Sequence, residues 1–537
     1  MIRIKIGTKS GTKIGNQEEK AALSLSVLAL LALAAGATYP LAFAPFHFFP
    51  LLFLSSAALF WLICQVPRHG ALLAWCYGIG KYAVGVSWIY VSIHDHGGAS
   101  PLLAAGLVAG FVAFMAVFCW PIGWFVGLIH QLQSRGGKLA PGLAFVAVWV
   151  LMEWVLTWFL TGFPWLFAGY GVLGLPLQGY VPVLGTLGVS LLVVMCAVAL
   201  VWAADRHQRK SIRMSALLGV MAVVGFGGVL DGHTWTSAQE RFDAALVQGN
   251  LDQGEKWDND KRMVHVRKHL ALSEDHWGAD LLIWPEFALT VYGGEAEQVT
   301  RLLHQRGQRT QTNVVIGMPD LQWREDGSYL VFNSAQGFGL ASGDFAKHHL
   351  VPFGDYVPLQ SYLRGLIEFF DLPMSAATAG SRDQVGIALQ LGSTGAGTKT
   401  AMGICYEIAF GESLRRNAVD SGVLLTLSND TWFGGSIGPH QHMQIAQMRA
   451  LENGRWLLRA TNNGITAIVN DRGQIQAQLP QFEAAVLRGE FQVMTGRTPY
   501  SYLGDLPVLV VLLLLLVASV IRSASLAERA AKPRNFS

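Results

Sequence analysis

At 537 residues the chain exceeds one ordinary domain, and its 52% hydrophobic and 14% charged content falls well short of the roughly 25% charge of soluble domains. A net charge of +3, with no basic block interleaved with aromatics, argues against a nucleic-acid partner. The imbalance is uneven: the first 230 residues are almost uncharged, whereas 240–495 has the composition of a soluble domain.

Crossing a bilayer takes about 20 apolar residues in a helix. Stretches of that kind run at roughly 22–38, 43–65, 70–93, 102–130, 141–161, 183–204 and 214–231, and one more at 505–522. Eight spans are therefore expected, with Pro40 and Pro45 marking a turn between the first two. The basic start, apolar run and Ala35-Gly36-Ala37 also resemble a secretory signal with a cleavage site, but further spans follow at once. Lys and Arg cluster before the first span and after the second, fourth, sixth and last, and are absent from 39–42, 94–101 and 162–182. The positive-inside rule then puts both termini in the cytoplasm and the soluble region outside the cytoplasmic membrane. The expected division is a cytoplasmic segment 1–21, a seven-helix membrane domain 22–231, an outer domain 240–495, a last span 505–522 and a cytoplasmic tail 523–537.

Lys81 and Glu153 stand inside spans, where charge is costly; each is either functional, or paired or snorkelling. Gly78-Ile79-Gly80-Lys81 lacks the first glycine and the Ser/Thr of a phosphate loop, which rejects that reading. The outer loop from Gly162 to Pro182, rich in Gly, Pro and aromatics, is expected to lie on the membrane beneath the outer domain.

From about 242, strand-like and helix-like runs alternate, as in an α/β layer architecture. Strands are expected at 242–248, 281–284, 314–317, 329–333, 400–404, 423–427, 457–461 and 465–470, and helices at 258–274, 295–311, 411–421 and 440–453. Three chemically loaded positions stand just beyond apolar runs or beside them: Glu286, Lys347 and Cys405. Cys405 is the only cysteine of five in the polar part of the chain. A thiol attacks carbonyls as a thiolate, so it needs a base and a nearby cation. Glu286 suits the base. Lys347, with backbone N–H groups after Cys405, suits an oxyanion. His348-His349 and His440-x-His442 read as surface or packing residues rather than metal ligands, and no metal or cofactor is expected.

Trp284-Pro285-Glu286, Lys347 with Pro352-Phe353-Gly354, and Gly403-Ile404-Cys405-Tyr406-Glu407 resemble the three motifs of the nitrilase superfamily, whose triad is Glu-Lys-Cys. Asn429-Asp430-Thr431-Trp432-Phe433-Gly434 strengthens the match. With eight spans around it, the whole chain is similar to the bacterial apolipoprotein N-acyltransferase family. The resemblance implies a multi-span α-helical domain plus a nitrilase-like αββα sandwich facing the periplasm of the inner membrane. It implies transfer of an acyl chain from a phospholipid donor, through a thioester on Cys405, to the α-amine of a diacylglyceryl-apolipoprotein acceptor, with Glu286 as base and Lys347 as oxyanion stabiliser. Trp257, Tyr406, Glu407 and Trp432 match positions that support triad or substrate. Asp355 stands where the family usually has Glu, one bond shorter. A monomer working in the lipid bilayer is expected.

Shielding a thioester from water calls for a cover. The apolar segment 358–374 is read as a lid dipping into the membrane, with an ordinary packing helix as the alternative. Two other functions remain open on the sequence: a membrane-anchored amidase using water, and a non-catalytic transporter or assembly factor.

Overall fold

The computed structural model describes residues 24–133, 138–291, 293–358, 376–392 and 397–531; most of the expected lid lies outside the described residues. Two parts share one continuous core: a bundle of apolar helices, and a two-sheet sandwich seated on it.

The bundle contains α1 (Leu25–Thr38), α2 (Pro50–Gln65), α3 (Gly70–Gly85), α4 (Pro101–Val117), α5 (Trp120–Leu132), α6 (Leu139–Val155), α7 (Val181–Ala204) and α8 (Lys210–Asp231). Among the described residues five stretches are long and apolar enough to cross a membrane, or six if the sharply bent α2–α3 pair counts as one; α6 is a shorter apolar helix. The expected span 102–130 is one of the five, Pro101–Leu132, with a short turn at Phe118–Cys119 between α4 and α5. The outer surfaces of these helices are apolar. Met214, Leu218, Met221 and Val229 of α8 are more than half exposed, a face that only hydrocarbon solvates well. This is a membrane protein.

The glycines of the rejected phosphate loop have a packing role. A Cβ on Gly80 would come within 2.0 Å of the Leu33 carbonyl, and one on Gly36 within 1.9 Å of the Tyr77 carbonyl. Backbone thus meets backbone between α1 and α3, the small-residue packing that membrane helices favour. Lys81 is buried, its ammonium 4.8 Å from the Tyr39 ring centroid and 5.5 Å from that of Trp149. Glu153 is buried as well, and its Oε1 accepts the Trp149 indole N–H and the Ala168 N–H, both at 2.9 Å. It thereby fastens the loop that follows α6. That loop does not lie loosely on a membrane surface: residues 164–172 are wholly buried.

The sandwich has two six-stranded sheets. The first runs β12-β1-β2-β3-β4-β5, from β1 (Thr236–Gln248), β2 (Leu281–Trp284), β3 (Asn313–Trp323), β4 (Tyr329–Gly339), β5 (Asp344–Ala346) and β12 (Ala485–Gly496). The second runs β11-β10-β9-β8-β7-β6, from β6 (Ala388–Gln390), β7 (Gly397–Ile404), β8 (Val423–Ser428), β9 (Leu457–Thr461), β10 (Ala467–Val469) and β11 (Ile475–Gln478). β1-β2-β3 and β7-β8-β9 are parallel. The sheets face each other through Leu246, Ile283 and Val315 on one side and Ile404, Leu425 and Leu458 on the other.

Period-2 alternation sends the neighbouring residues outward. Val247, Leu282 and Ile316 meet Val266 of α9 (Arg262–Leu272) and Leu303 of α10 (Gly293–Thr310). Ala401, Leu424 and Leu457 join the core that holds Leu414 of α11 (Gly411–Ala418), Met448 of α12 (Gly438–Asn453) and the membrane helices. The helix layer of the second sheet is therefore also the floor on which the sandwich stands. Chain entry and exit are side by side, since Thr236 at the start of β1 pairs with Gly496 at the end of β12, and α13 (Leu506–Ala531) follows. The expected strands are present; β5, β6, β11 and β12 come in addition.

Candidate active site

In parallel sheets, functional groups gather beyond the carboxyl ends of the strands. Here Glu286 follows β2 by two residues and Cys405 follows β7 directly. Because the two sheets face one another, these ends converge. Lys347 follows β5 directly, and its N–H donates to the Asn333 carbonyl at 2.7 Å.

Glu286 and Lys347 are 4% and 1% exposed. The Lys347 Nζ is 2.7 Å from Asp355 Oδ2 and 3.5 Å from Glu286 Oε1. Burial works against its charge, but Asp355 and then Glu286 outweigh it, so Lys347 is held firmly protonated. The Asn333 amide donates to Glu286 Oε1 at 2.7 Å. This leaves the carboxylate oriented by one neutral and one cationic donor. Asp355 also accepts the Val351 N–H at 2.8 Å, so its shorter side chain does reach Lys347.

Cys405 has φ +54°, a left-handed conformation that non-glycine residues adopt only when their surroundings hold them there. Two contacts do so. Glu407 Oε2 accepts the Ile404 N–H at 2.9 Å, and His442 Nε2 lies 3.1 Å from the Cys405 carbonyl. Burial, and next the charge of Glu286, push the thiol up to about 12, with Lys347 pulling the other way. At neutral pH the resting thiol keeps its proton.

Glu407 is buried, and its Oε1 accepts the N–H groups of His348 and His349 at 2.7 and 3.0 Å. One carboxylate thus ties the turn after Lys347 to the strand end before Cys405. Tyr406 reaches the bundle, donating its hydroxyl to the Gly162 carbonyl at 2.9 Å. Trp257 meets the Phe287 ring edge-on at 5.2 Å between centroids, beside Glu286. Trp432 is farther toward the bundle: its carbonyl accepts the Ser92 hydroxyl at 2.7 Å, and its ring stands 6.0 Å from that of His96.

Sequence reasoning missed several groups. Lys256 is buried, donates to the Glu286 carbonyl at 3.0 Å, and is pulled down to about 8 by burial. Asn333 gave no signal inside an ordinary strand. Of the surface and packing readings of His442, packing holds, since it is 1% exposed, but its partners were not foreseen. It joins Asp430 and Arg459 in a buried cluster, with Arg459 Nη2 2.7 Å from Asp430 Oδ2 and 3.0 Å from His442 Nδ1. The one clue was Asp430 standing just past a strand end, as Cys405 does. His349 does pack, its ring stacked 4.0 Å from that of Phe410.

A cavity of about 780 Å³ lies between the bundle and these loops, walled by Trp154, Trp158 and Leu187 on one side and by His349, Phe410 and Arg449 on the other.

Two predictions follow from these charges. Glu286→Gln removes the negative charge that raises the Cys405 thiol, so at pH 8–9 iodoacetamide should alkylate Cys405 faster than in the parent. Alkylation no faster than in the parent would contradict the arrangement. Asp355→Ala leaves Lys347 half-paired in a buried site, which costs about 3–5 kcal/mol and should show as a lower unfolding midpoint. Asp355→Glu should be tolerated.

Residues 35–199 match the apolipoprotein N-acyltransferase N-terminal domain, and residues 243–500 match the carbon-nitrogen hydrolase family. The chain is 43% identical to apolipoprotein N-acyltransferase of Pseudomonas paraeruginosa, over 88% of this chain and 91% of that one. It is 42% identical to the Azotobacter vinelandii protein of that name, over 94% and 96% of the two chains. With the Vibrio cholerae protein of that name it shares 38% identity, over 88% and 92%. A nitrilase-like sandwich carried on apolar helices, matched over nearly its whole length, makes this chain a member of the apolipoprotein N-acyltransferase family.

Proposed function

We propose that the protein N-acylates lipoproteins, moving a fatty acyl chain from a phospholipid to the α-amine of an N-terminal diacylglyceryl-cysteine through a thioester on Cys405. The observation that carries the reading is the buried Glu286–Lys347–Asp355 cluster at the converging strand ends that bear Cys405, in a sandwich whose floor is the membrane bundle. A hydrolase of small soluble amides has no need of such a floor, whereas a donor with two fatty chains is confined to the bilayer. The cavity between bundle and loops does not reach the thiol itself but adjoins the turns after Lys347 and Cys405, through His348 and Phe410.

The steps follow from the groups present. Glu286 takes the thiol proton as the sulfur attacks the ester carbonyl, which is necessary because the resting thiol is not ionised. Lys347 and the N–H after Cys405 stabilise the oxyanion. The carbon–oxygen bond breaks, and the departing lysophospholipid oxygen takes the proton from Glu286. The ionised Glu286 then accepts a proton from the incoming amine as it attacks the thioester. The carbon–sulfur bond breaks and the thiolate regains its proton from Glu286. One nucleophile serving two lipids in turn gives ping-pong kinetics.

The reading also takes eight spans, α4 and α5 together forming one and α13 the last, with both termini in the cytoplasm and a monomeric enzyme whose sandwich faces the periplasm of the inner membrane. The absence of Lys and Arg from alternate loops supports that orientation.

Enzyme given phospholipid alone should accumulate acyl-Cys405, seen as added mass on the intact protein, with about one equivalent of lysophospholipid per site. Initial rates over both substrates should give parallel double-reciprocal lines. Intersecting lines without an acyl-enzyme would indicate direct transfer, and rapid release of free fatty acid would indicate a hydrolase. For orientation, a reporter active only outside the cytoplasm should work when fused near residue 300 and be silent after 530; the reverse would place the site on the wrong side for its acceptor.

A further inference from the structure

The peptide joining Cys405 to Tyr406 is trans, so its carbonyl and its N–H point in opposite directions. The carbonyl faces His442 Nε2 at 3.1 Å. A carbonyl has no hydrogen to give, so Nε2 must carry one. The other ring nitrogen, Nδ1, lies 3.0 Å from both Arg459 Nη2 and Asp430 Oδ1, so the cluster anchors that side of the ring and leaves Nε2–H for the carbonyl. Asp430 also pairs with Arg459 at 2.7 Å and is itself held by the Ser428 hydroxyl at 2.7 Å. Burial, and then Arg459, hold the imidazole below its usual range, in keeping with a neutral ring. The ring has little freedom to turn: Trp165, from the loop that Glu153 fastens, lies 5.9 Å away between centroids, and Phe433 lies 6.0 Å away. Trp165 in turn donates its indole N–H to Gln441, the residue before His442, at 2.7 Å.

We propose that His442 is a positioning residue that sets the plane of the Cys405–Tyr406 peptide, turning its carbonyl inward and thereby aiming the Tyr406 N–H at the oxyanion formed on Cys405. It deepens the thioester reading above and rests on it. The left-handed φ of Cys405 makes the role necessary, because a strained residue released from its carbonyl anchor relaxes toward ordinary backbone and swings that N–H away. His442 touches no substrate. Its contribution passes through the peptide, and it falls in both half-reactions, since each builds an oxyanion at the same place.

Alkylation by iodoacetamide separates this role from a merely structural one, because displacement at a saturated carbon builds no oxyanion. In the full-length protein in phospholipid nanodiscs, His442→Phe keeps a ring against Trp165 and Phe433 but has no donor. Acylation of Cys405 by phospholipid should slow on the order of 10²-fold, the loss expected for one oxyanion donor, while alkylation of Cys405 stays near the parent rate. His442→Gln, whose amide can reach the carbonyl, should recover most of the loss. His442→Asn, whose amide stops short, should repeat it and serves if the Phe variant does not fold. Acylation near the parent rate in the Phe or Asn variant, alkylation falling together with acylation, or no recovery with Gln would each overturn the proposal. If the parent itself formed no acyl-Cys405, the thioester reading would fail first; a parent that acylates normally confines the failure to His442.

Discussion

The constraint on which the rest depends is that α12 is buried on both sides. On one face it covers the second sheet, and on the other it meets the membrane helices, so that one core runs from bilayer to sandwich. A helix in that position cannot leave polar groups unpaired without large cost. Its polar residues find partners in the bundle for part of their hydrogen-bonding groups: Gln441 accepts from Trp165, Gln444 accepts the Ala44 N–H at 3.1 Å, and Glu452 accepts the Thr186 N–H at 2.8 Å, while among the described residues the amide nitrogens of Gln441 and Gln444 stay unpaired. Arg449 donates to the Thr186 hydroxyl at 2.9 Å and pairs with Glu452 at 3.1 Å. Apolar contact alone would let the sandwich slide on its floor. Directional bonds in a dry interface fix its register.

Register matters because the chemistry is set at a depth. The turn after Cys405 is tied to the bundle through Tyr406 and Gly162, and the turn after β8 through Trp432 and Ser92. Shifting the sandwich would move the thiol relative to the plane where lipid ester groups lie. The buried Glu153 braces the loop that carries Gly162 through the Ala168 N–H, which gives an intramembrane carboxylate a structural task beside the usual functional ones.

The electrostatics of the site balance in a way that suits transfer. Lys347 is kept charged by two carboxylates, yet Glu286 also raises the thiol it serves. A resting thiol near 12 is guarded from stray electrophiles and metals. In the proposed mechanism its ionisation waits for a carbonyl to attack and for the oxyanion contacts that offset its cost. Lys256, brought down to about 8 and bonded to the Glu286 backbone, is a second cation close enough to feel both groups.

The sequence by itself determined the class of the protein, because hydrophobic length, charge distribution and strand-end motifs are local properties of the chain. Apolar runs announced the helices, alternating elements announced an α/β domain, and Glu286, Lys347 and Cys405 stood out as acid, amine and thiol beside apolar strands. What only the tertiary structure decided is what lies across from what. Gly438 to Asn453 carries His, Gln, Arg and Glu through its length, a pattern that reads locally as a half-solvated helix. Burial against two layers decides between the surface and packing readings of His442 in favour of packing, and sets it against the Cys405 carbonyl. Asn333 and Lys256 were silent for a related reason: each reaches Glu286 from a distant part of the chain, and no local spacing encodes such a meeting. The glycines at 78 and 80 carried a false hint of phosphate binding, and only the close approach of α4 to the first and of α1 to the second supplied their reason. Local sequence sets which groups are present, whereas distance and solvent exclusion, which fix their roles, arise only when remote segments pack together.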